Sequence, residues 1–522
     1  MGLAVAFFLL ATALATVVVV NRLTAKKKGP LPPGPKGLPL VGNMFDLPSE
    51  GQEWMHWLKH KDQYGPISSV TALSNTIVIV HSPEIAFEMF EKKSSIYSSR
   101  PRLLFGSEMV GWGRVPAMMP YGSYFRANRK RIHTAVGTHS TVLPYAPLQE
   151  KEALRFLLRV MRKPDDLEHH IRTEAGAMIL SMVYGYTIEP HKPDPLVELA
   201  DTALNQFALS SVPGGWLVDT IPALRHLPDW FPGAGFKKIG KEWRKTLDMA
   251  ATKPFLFARQ QMARGVDKKF YLSGFPSEDM APEEDEILKW TATSLYAGGS
   301  DTTVNTLSAF FLAMTLHPEV QARAQEEIDR VVGPGRLPTF DDRDNLPYIN
   351  AVVQEAWRWH VVLPLGLPHA STADHYINGY FIPKGATVMS NVWWFTHDPE
   401  VYPNPDKYDP LRFMTTPPPP DPTEWIFGFG RRICPGRFFA QGSVWLTVAK
   451  SLAAFNISKG LDESGREIDP VVEASTGVIS RVKPYKATVK PRSPEYAALI
   501  EQVESMHPWE KSHAEELASV KV

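Results

Sequence analysis

Cys434 is the only cysteine among 522 residues, and that single thiol removes whole classes of fold. A disulfide framework, a cysteine-rich zinc site and an iron–sulfur cluster each need several thiolates. The composition, 44% hydrophobic and 21% charged, is that of a globular chain, neither disordered nor fibrous. Its 56 Lys+Arg balance 56 Asp+Glu, which disfavours nucleic acid as a partner. What the thiol does must be read from its neighbours.

Those neighbours are Phe427-Gly428-Phe429-Gly430-Arg431-Arg432-Ile433-Cys434-Pro435-Gly436-Arg437, followed by a periodic segment with Phe438, Val444, Trp445, Val448 and Leu452 near one face. Gly428 and Gly430 permit a tight turn and close backbone approach to a flat ligand. Pro435 suits the first turn of a helix. Cys434 is then expected at the positive end of the helix dipole, with its pKa lowered and its thiolate, the metal-binding form, favoured. A lone cysteine more often packs as a small hydrophobe. Glycines before it, arginines beside it and a helix after it argue against that here.

From Gly2 to Val20 the chain is uncharged and mostly apolar, just long enough to span a membrane as a helix. Arg22, Lys26, Lys27 and Lys28 follow and should stay cytoplasmic. A cleaved signal peptide would carry its charge before the apolar run and would be shorter. Residues 1–21 are therefore read as an uncleaved anchor. Residues 22–44, with prolines at 30, 32, 33, 35 and 39, form a stiff hinge. The sequon at Asn456 then faces the cytosol, unmodified.

Short β-branched runs such as Thr76 to Val80 give way after about residue 145 to a mainly helical pattern that lasts to about 360. Strand-like pieces and proline-rich turns return after 375. No internal repeat or long linker divides the globule. The fold class is mainly α with a minor β portion, one large domain over 45–492 and a polar C-terminal tail over 493–522.

Acidic Glu283 to Glu286 precede a periodic run from Ile287 to Leu316, roughly 45 Å of helix at 1.5 Å per residue. Its middle, Ala297-Gly298-Gly299-Ser300-Asp301-Thr302-Thr303, is poor helix material. Because Val304, Leu307, Phe311 and Met314 keep the period, we read one helix interrupted locally so that something can approach its backbone and hydroxyls.

The cysteine segment resembles the haem-binding loop of the cytochrome P450 superfamily, Phe-x-x-Gly-x-Arg-x-Cys-x-Gly, with Phe427, Gly430, Arg432, Cys434 and Gly436 in every fixed position. Three further elements occur in order. Glu355 and Arg358, in Glu-x-x-Arg, resemble the buried pair that locks the loop scaffold, with Arg412 as third member; Leu411 stands where Glu is frequent. Gly298, Gly299, Asp301 and Thr302 are similar to the oxygen-activating helix. Arg129 matches the arginine of Trp-x-x-x-Arg, with Phe125 in place of the Trp. The resemblance extends from the anchor to about residue 490 and is nearest in texture to fungal microsomal members.

The resemblance implies haem b with Cys434 as the axial iron ligand, and Arg129, His369 and Arg432 as propionate partners. Thr302 would hold the hydrogen-bonded oxygen and water, and Asp301 would feed protons from solvent. It implies a monooxygenase acting with O2 on a lipophilic substrate such as a terpenoid or alkaloid. NADPH is used indirectly, through a separate NADPH–cytochrome P450 reductase greeted by Arg126, Lys130 and Arg131. The haem domain would lie on the cytosolic face of the endoplasmic reticulum membrane. Trp216, Trp230 and Phe231 are candidates to dip into its lipid. A haem-thiolate rearrangement enzyme and a membrane haem carrier are the alternatives; Asp301 and Thr302 speak against the first, and product-coupled NADPH use would exclude the second.

Overall fold

The computed structural model describes residues 29–48, 52–73, 75–266, 268–276 and 280–522. The apolar run and the cluster Arg22 to Lys28, read as an anchor and its stop, lie outside the described residues. Among the described residues no helix is long and apolar enough to cross a membrane.

Among the described residues, ten helices of twelve residues or more carry the fold: α1 (Glu53–Tyr64), α2 (Ser123–Val136), α3 (Ala146–Arg162), α4 (Leu167–Tyr184), α5 (Pro195–Ser210), α6 (Gly235–Ala263), α7 (Pro282–Leu316), α8 (Pro318–Val331), α9 (Pro347–Trp359) and α10 (Arg437–Ala454). Eight short strands make a minor β portion, as expected. They are β1 (Ile67–Ala72), β2 (Asn75–Val80), β3 (His369–Ala370), β4 (His375–Ile377), β5 (Tyr380–Ile382), β6 (Thr387–Ser390), β7 (Phe455–Lys459) and β8 (Ala487–Pro491). A four-stranded sheet has the order β1-β2-β6-β3, in which only β2 and β6 run parallel. β4–β5 and β7–β8 are separate antiparallel ribbons.

The largest core joins Phe156 and Leu157 of α3, Leu307, Phe310 and Phe311 of α7, and Trp445 and Val448 of α10. α7 starts with Pro282 and three acids in its first turn, which suits the dipole. It then runs unbroken to Leu316, so the expected interruption is absent. Side chains secure the weak stretch: Thr302 Oγ1 donates to Gly298 O (2.8 Å), Asn305 Nδ2 to Asp301 O (2.8 Å) and Thr306 Oγ1 to Thr302 O (3.2 Å). Gly299 lets α4 close in, since an added Cβ would stand 2.7 Å from Ile179 Cδ1. Burial of the flanking turns thus outweighs about 1 kcal/mol of propensity lost per glycine.

Both ends of the described chain are docked. Ser69 N donates to Pro33 O (2.8 Å) and Ser69 Oγ to Pro32 O (2.6 Å), so the proline-rich segment, from residue 29 onward, lies along β1 rather than standing free. Beyond residue 493, Tyr496, Ile500 and Val503 join the largest core, and Leu517 and Val520 join a second one. The guanidinium groups of Arg155 and Arg159 lie 4.9 and 5.8 Å from the Trp509 ring.

Candidate active site

The cysteine loop is closed by Cys434 N donating to Phe427 O at 2.6 Å, while the Phe427 ring meets Trp357 edge-on at 5.8 Å. Gly430 has φ +49°, and an added Cβ would lie 2.4 Å from Phe90 O, so no other residue fits. Two expectations need correction. α10 begins at Arg437 with Gly436 as its N-cap, which leaves Pro435 outside the first turn. The Cys434 thiol is pushed up by burial, against the pull of the Gly436 amide, Arg129 and Arg437. Helix start and arginines favour the thiolate as expected, but desolvation of a buried charge is the larger effect until a cation meets it. An added Cβ at Gly436 would meet nothing within 4 Å, which leaves open space beside the thiol's own turn.

Around the loop gathers positive charge. Arg129 on α2 acts electrostatically on Cys434 and on Arg432, and Arg100 and Arg432 both act on His369. No carboxylate among the described residues forms an ion pair with any of these four. Arg432 is held down to about 9 by burial and then by Arg129. His369 is held well below the usual imidazole range by burial, Arg100 and Arg432. The His369 Nδ1 and Tyr97 O are 2.6 Å apart, which leaves Nε2 uncommitted.

Arg432 departs from a pure propionate role. Its Nε, Nη1 and Nη2 donate to Ser98 O (2.7 Å), Pro116 O (3.0 Å) and Met119 O (2.7 Å), and its plane lies 3.7 Å from the Phe125 ring. Three of its five N–H groups are thereby committed to backbone. Phe125, with no polar group to offer, is the shelf for that guanidinium. Arg100, which the sequence reading missed, is likewise buried and donates to Ala117 O (2.7 Å), Leu367 O and Pro368 O (2.8 Å each). Its only sequence signal was its position just before Pro101.

A second arginine cluster is built on α9. Glu355 Oε2 accepts from Arg358 Nε (2.7 Å), and Oε1 accepts from Arg358 Nη2 (2.9 Å), Arg412 Nε (3.1 Å) and Asp409 N (2.7 Å). Arg358 spends its remaining donors on Thr396 O, Pro405 O and Lys407 O. Leu411 contributes nothing to this network and is partly exposed.

Asp301 and Thr302 stand on α7, and no hydrogen bond or ion pair among the described residues joins them to the cysteine loop. Thr302 is half-buried beside Gly298, where an added Cβ would again meet open space. Asp301 is 3% exposed and paired with Arg481 at 2.9 Å. Burial pushes its carboxyl up, against Arg481 and Arg172. It therefore does not meet solvent directly.

A thiol on an open turn, with arginines near it that no carboxylate among the described residues neutralises, fits a flat iron ligand that carries its own carboxylates. Residues 32–489 match the cytochrome P450 family. The chain is 49% identical to the cytochrome P450 monooxygenase claR of Ampulloclitocybe clavipes over 484 residues, 92% of this chain and 90% of that protein. It is 42% identical to the multifunctional cytochrome P450 monooxygenase af510 of Aspergillus fumigatus, over 96% of both chains. It is 39% identical to the O-methylsterigmatocystin oxidoreductase of Aspergillus flavus, over 97% of both chains. With that extent of likeness and with this donor set, the chain belongs to the cytochrome P450 family and is a haem b monooxygenase.

Proposed function

We propose that this monooxygenase inserts one oxygen atom from O2 into a lipophilic small molecule, a terpenoid, alkaloid or other specialised metabolite. Electrons come from NADPH through a separate reductase. The observation that carries the reading is the acid and hydroxyl side by side at Asp301 and Thr302, which oxygen activation needs for protons and a rearrangement without O2 does not. Haem bound through Cys434 supplies the iron and a thiolate that favours O–O cleavage. Arg129 balances the propionates, and His369 joins it once a propionate draws a proton onto Nε2, with Arg432 holding the loop against the backbone it bonds. Glu355, Arg358 and Arg412 keep that loop rigid. Phe427, Gly430 and Gly436 shape its turn.

Thr302 holds a water or oxygen by hydrogen bond, and Asp301 passes it a proton. A lipophilic substrate is supported by the apolar cluster of Leu104, Phe105, Trp112, Phe207 and Ile479, against which Ala297 and Leu363 pack. Residues 1–21 anchor the chain in the endoplasmic reticulum membrane, 22–44 connect, 45–492 form the cytosolic haem domain and 493–522 follow as the tail. Lipid contact is supported by Trp230, 80% exposed, and Phe231; Trp216 instead stacks on Phe105 at 3.6 Å. Exposed Arg126 and Lys130 on α2 support docking of an acidic reductase.

The test is to co-express chain and reductase, feed lipophilic metabolite extracts and isotopically labelled O2, and follow products by mass spectrometry. Products carrying one labelled oxygen and requiring NADPH are expected. Products formed without O2 or NADPH would contradict the reading.

A further inference from the structure

The Asp301 carboxylate is buried, and an arginine from a sequence-distant loop holds it. Arg481 Nε donates to Asp301 Oδ2 (3.2 Å) and Nη2 lies 2.9 Å from the same oxygen. Oδ1 has no hydrogen-bond partner among the described residues and faces Arg172 Nη1 at 3.8 Å. The third nitrogen of Arg481 points the other way. Nη1 donates to Asn205 Oδ1 and to Asp201 Oδ1 (3.4 Å), both on α5. Arg172 Nη1 in turn lies 2.5 Å from Asp201 Oδ1.

α5 also carries Phe207 and Ala208, which belong to the apolar cluster named above for substrate. A guanidinium is a rigid planar fork, so moving Nη1 with α5 must tilt Nε and Nη2 against Asp301. Asp201 is about one-third exposed while Asp301 is buried, so the network also leads from the carboxylate outward to water.

We propose that Arg481 is the positioning residue for the Asp301 carboxylate, and that its grip is set by α5 through Asn205 and Asp201. The inference rests on the proposed role of Asp301 in proton delivery. Arg481 favours the charged form of the carboxylate against its burial and orients it, so that a proton it accepts can be returned. Released, a buried carboxyl takes up a proton and keeps it. The position of the helix over the substrate region thus governs proton supply.

The measurement uses holoenzyme reconstituted with reductase, NADPH and O2 and needs no substrate. O2 leaves either as peroxide, with two electrons from one NADPH and one further proton from solvent, or as two waters, with four electrons from two NADPH and two further protons from solvent. The readout is peroxide formed per O2 consumed. Asp301→Asn and Arg481→Gln should each raise that share at least about threefold, within the range that general acid catalysis supplies. Arg481→Lys, which keeps the charge, should restore most of the water-forming reaction, and the double variant should be no worse than Asp301→Asn. A raised share in Asp301→Asn with an unchanged one in Arg481→Gln overturns the Arg481 assignment and leaves the Asp301 reading intact. No rise in Asp301→Asn overturns both. If Arg481→Gln does not hold haem, Asn205→Ala decides: a raised share supports the tie to α5, and an unchanged one overturns it.

Discussion

Two of the buried arginine clusters among the described residues are built on opposite principles. Around Glu355 every charge is answered: Arg358 and Arg412 share one carboxylate, and their remaining donors meet backbone carbonyls. Around the cysteine loop, Arg432 is repelled by Arg100 and by Arg129, with no carboxylate among the described residues to pair them, and the His369 imidazole is kept uncharged beside them. A complete network is scaffold, and removing a member leaves a buried charge stranded. An incomplete one is uncomfortable by itself, and it is completed by what binds there. The contrast separates residues that complete their own network from residues that the proposed haem contacts would complete, which residue type alone would not do.

Breaking the complete cluster should cost most. Glu355→Gln strands two buried guanidinium groups, and a loss of about 3–5 kcal/mol is expected. Unfolding followed by circular dichroism, with the yield of haem-loaded protein, reads this. The incomplete cluster should respond with the opposite sign in the haem-free chain. Arg129→Gln relieves repulsion with Arg432, so haem-free protein should unfold at equal or higher denaturant, while haem is held more weakly by about 1.5–3 kcal/mol. Haem transfer to a competing apoprotein measures the second quantity. A haem-free Arg129→Gln chain less stable than the parent would erase the distinction between the clusters.

The smallest effect is acid sensitivity. His397 lies against Arg358 and is held down to about 3 by burial and then by that arginine. Below about 6.5 the unfolded chain takes up a proton that the folded chain refuses. Stability therefore falls as pH drops from there toward about 3, by at most about 1.4 kcal/mol per pH unit. His397→Asn should flatten that slope in thermal melts, with or without haem. His369, the counterpart in the other cluster, should lose its share of the slope once propionates are present.

Much of this was legible in the sequence because it is local. Phe427, Gly430, Arg432, Cys434 and Gly436 lie within ten residues, and Glu355 and Arg358 lie one helical turn apart. What failed to show is long-range or collective. Arg481 reaches Asp301 across 180 positions, and Arg100 earns its place through carbonyls more than 260 positions away. Local propensity favoured a break at Gly298 and Gly299, and the packing of α4 with back-bonding by Thr302 and Asn305 overrode it. The dipole and arginines predicted a lowered Cys434 pKa, whereas burial, invisible in one dimension, prevailed. Trp509 looked like part of a polar tail, and only the fold brings Arg155 and Arg159 over its ring.

One measurement bears most directly on the central claim, that Cys434 binds iron within a cluster awaiting propionates. The reduced protein, exposed to carbon monoxide, should give the long-wavelength Soret band of thiolate-ligated haem, and Cys434→Ala should lose that band. A short-wavelength band from the intact protein, or a Cys434→Ala variant that retains the thiolate spectrum, would contradict the account.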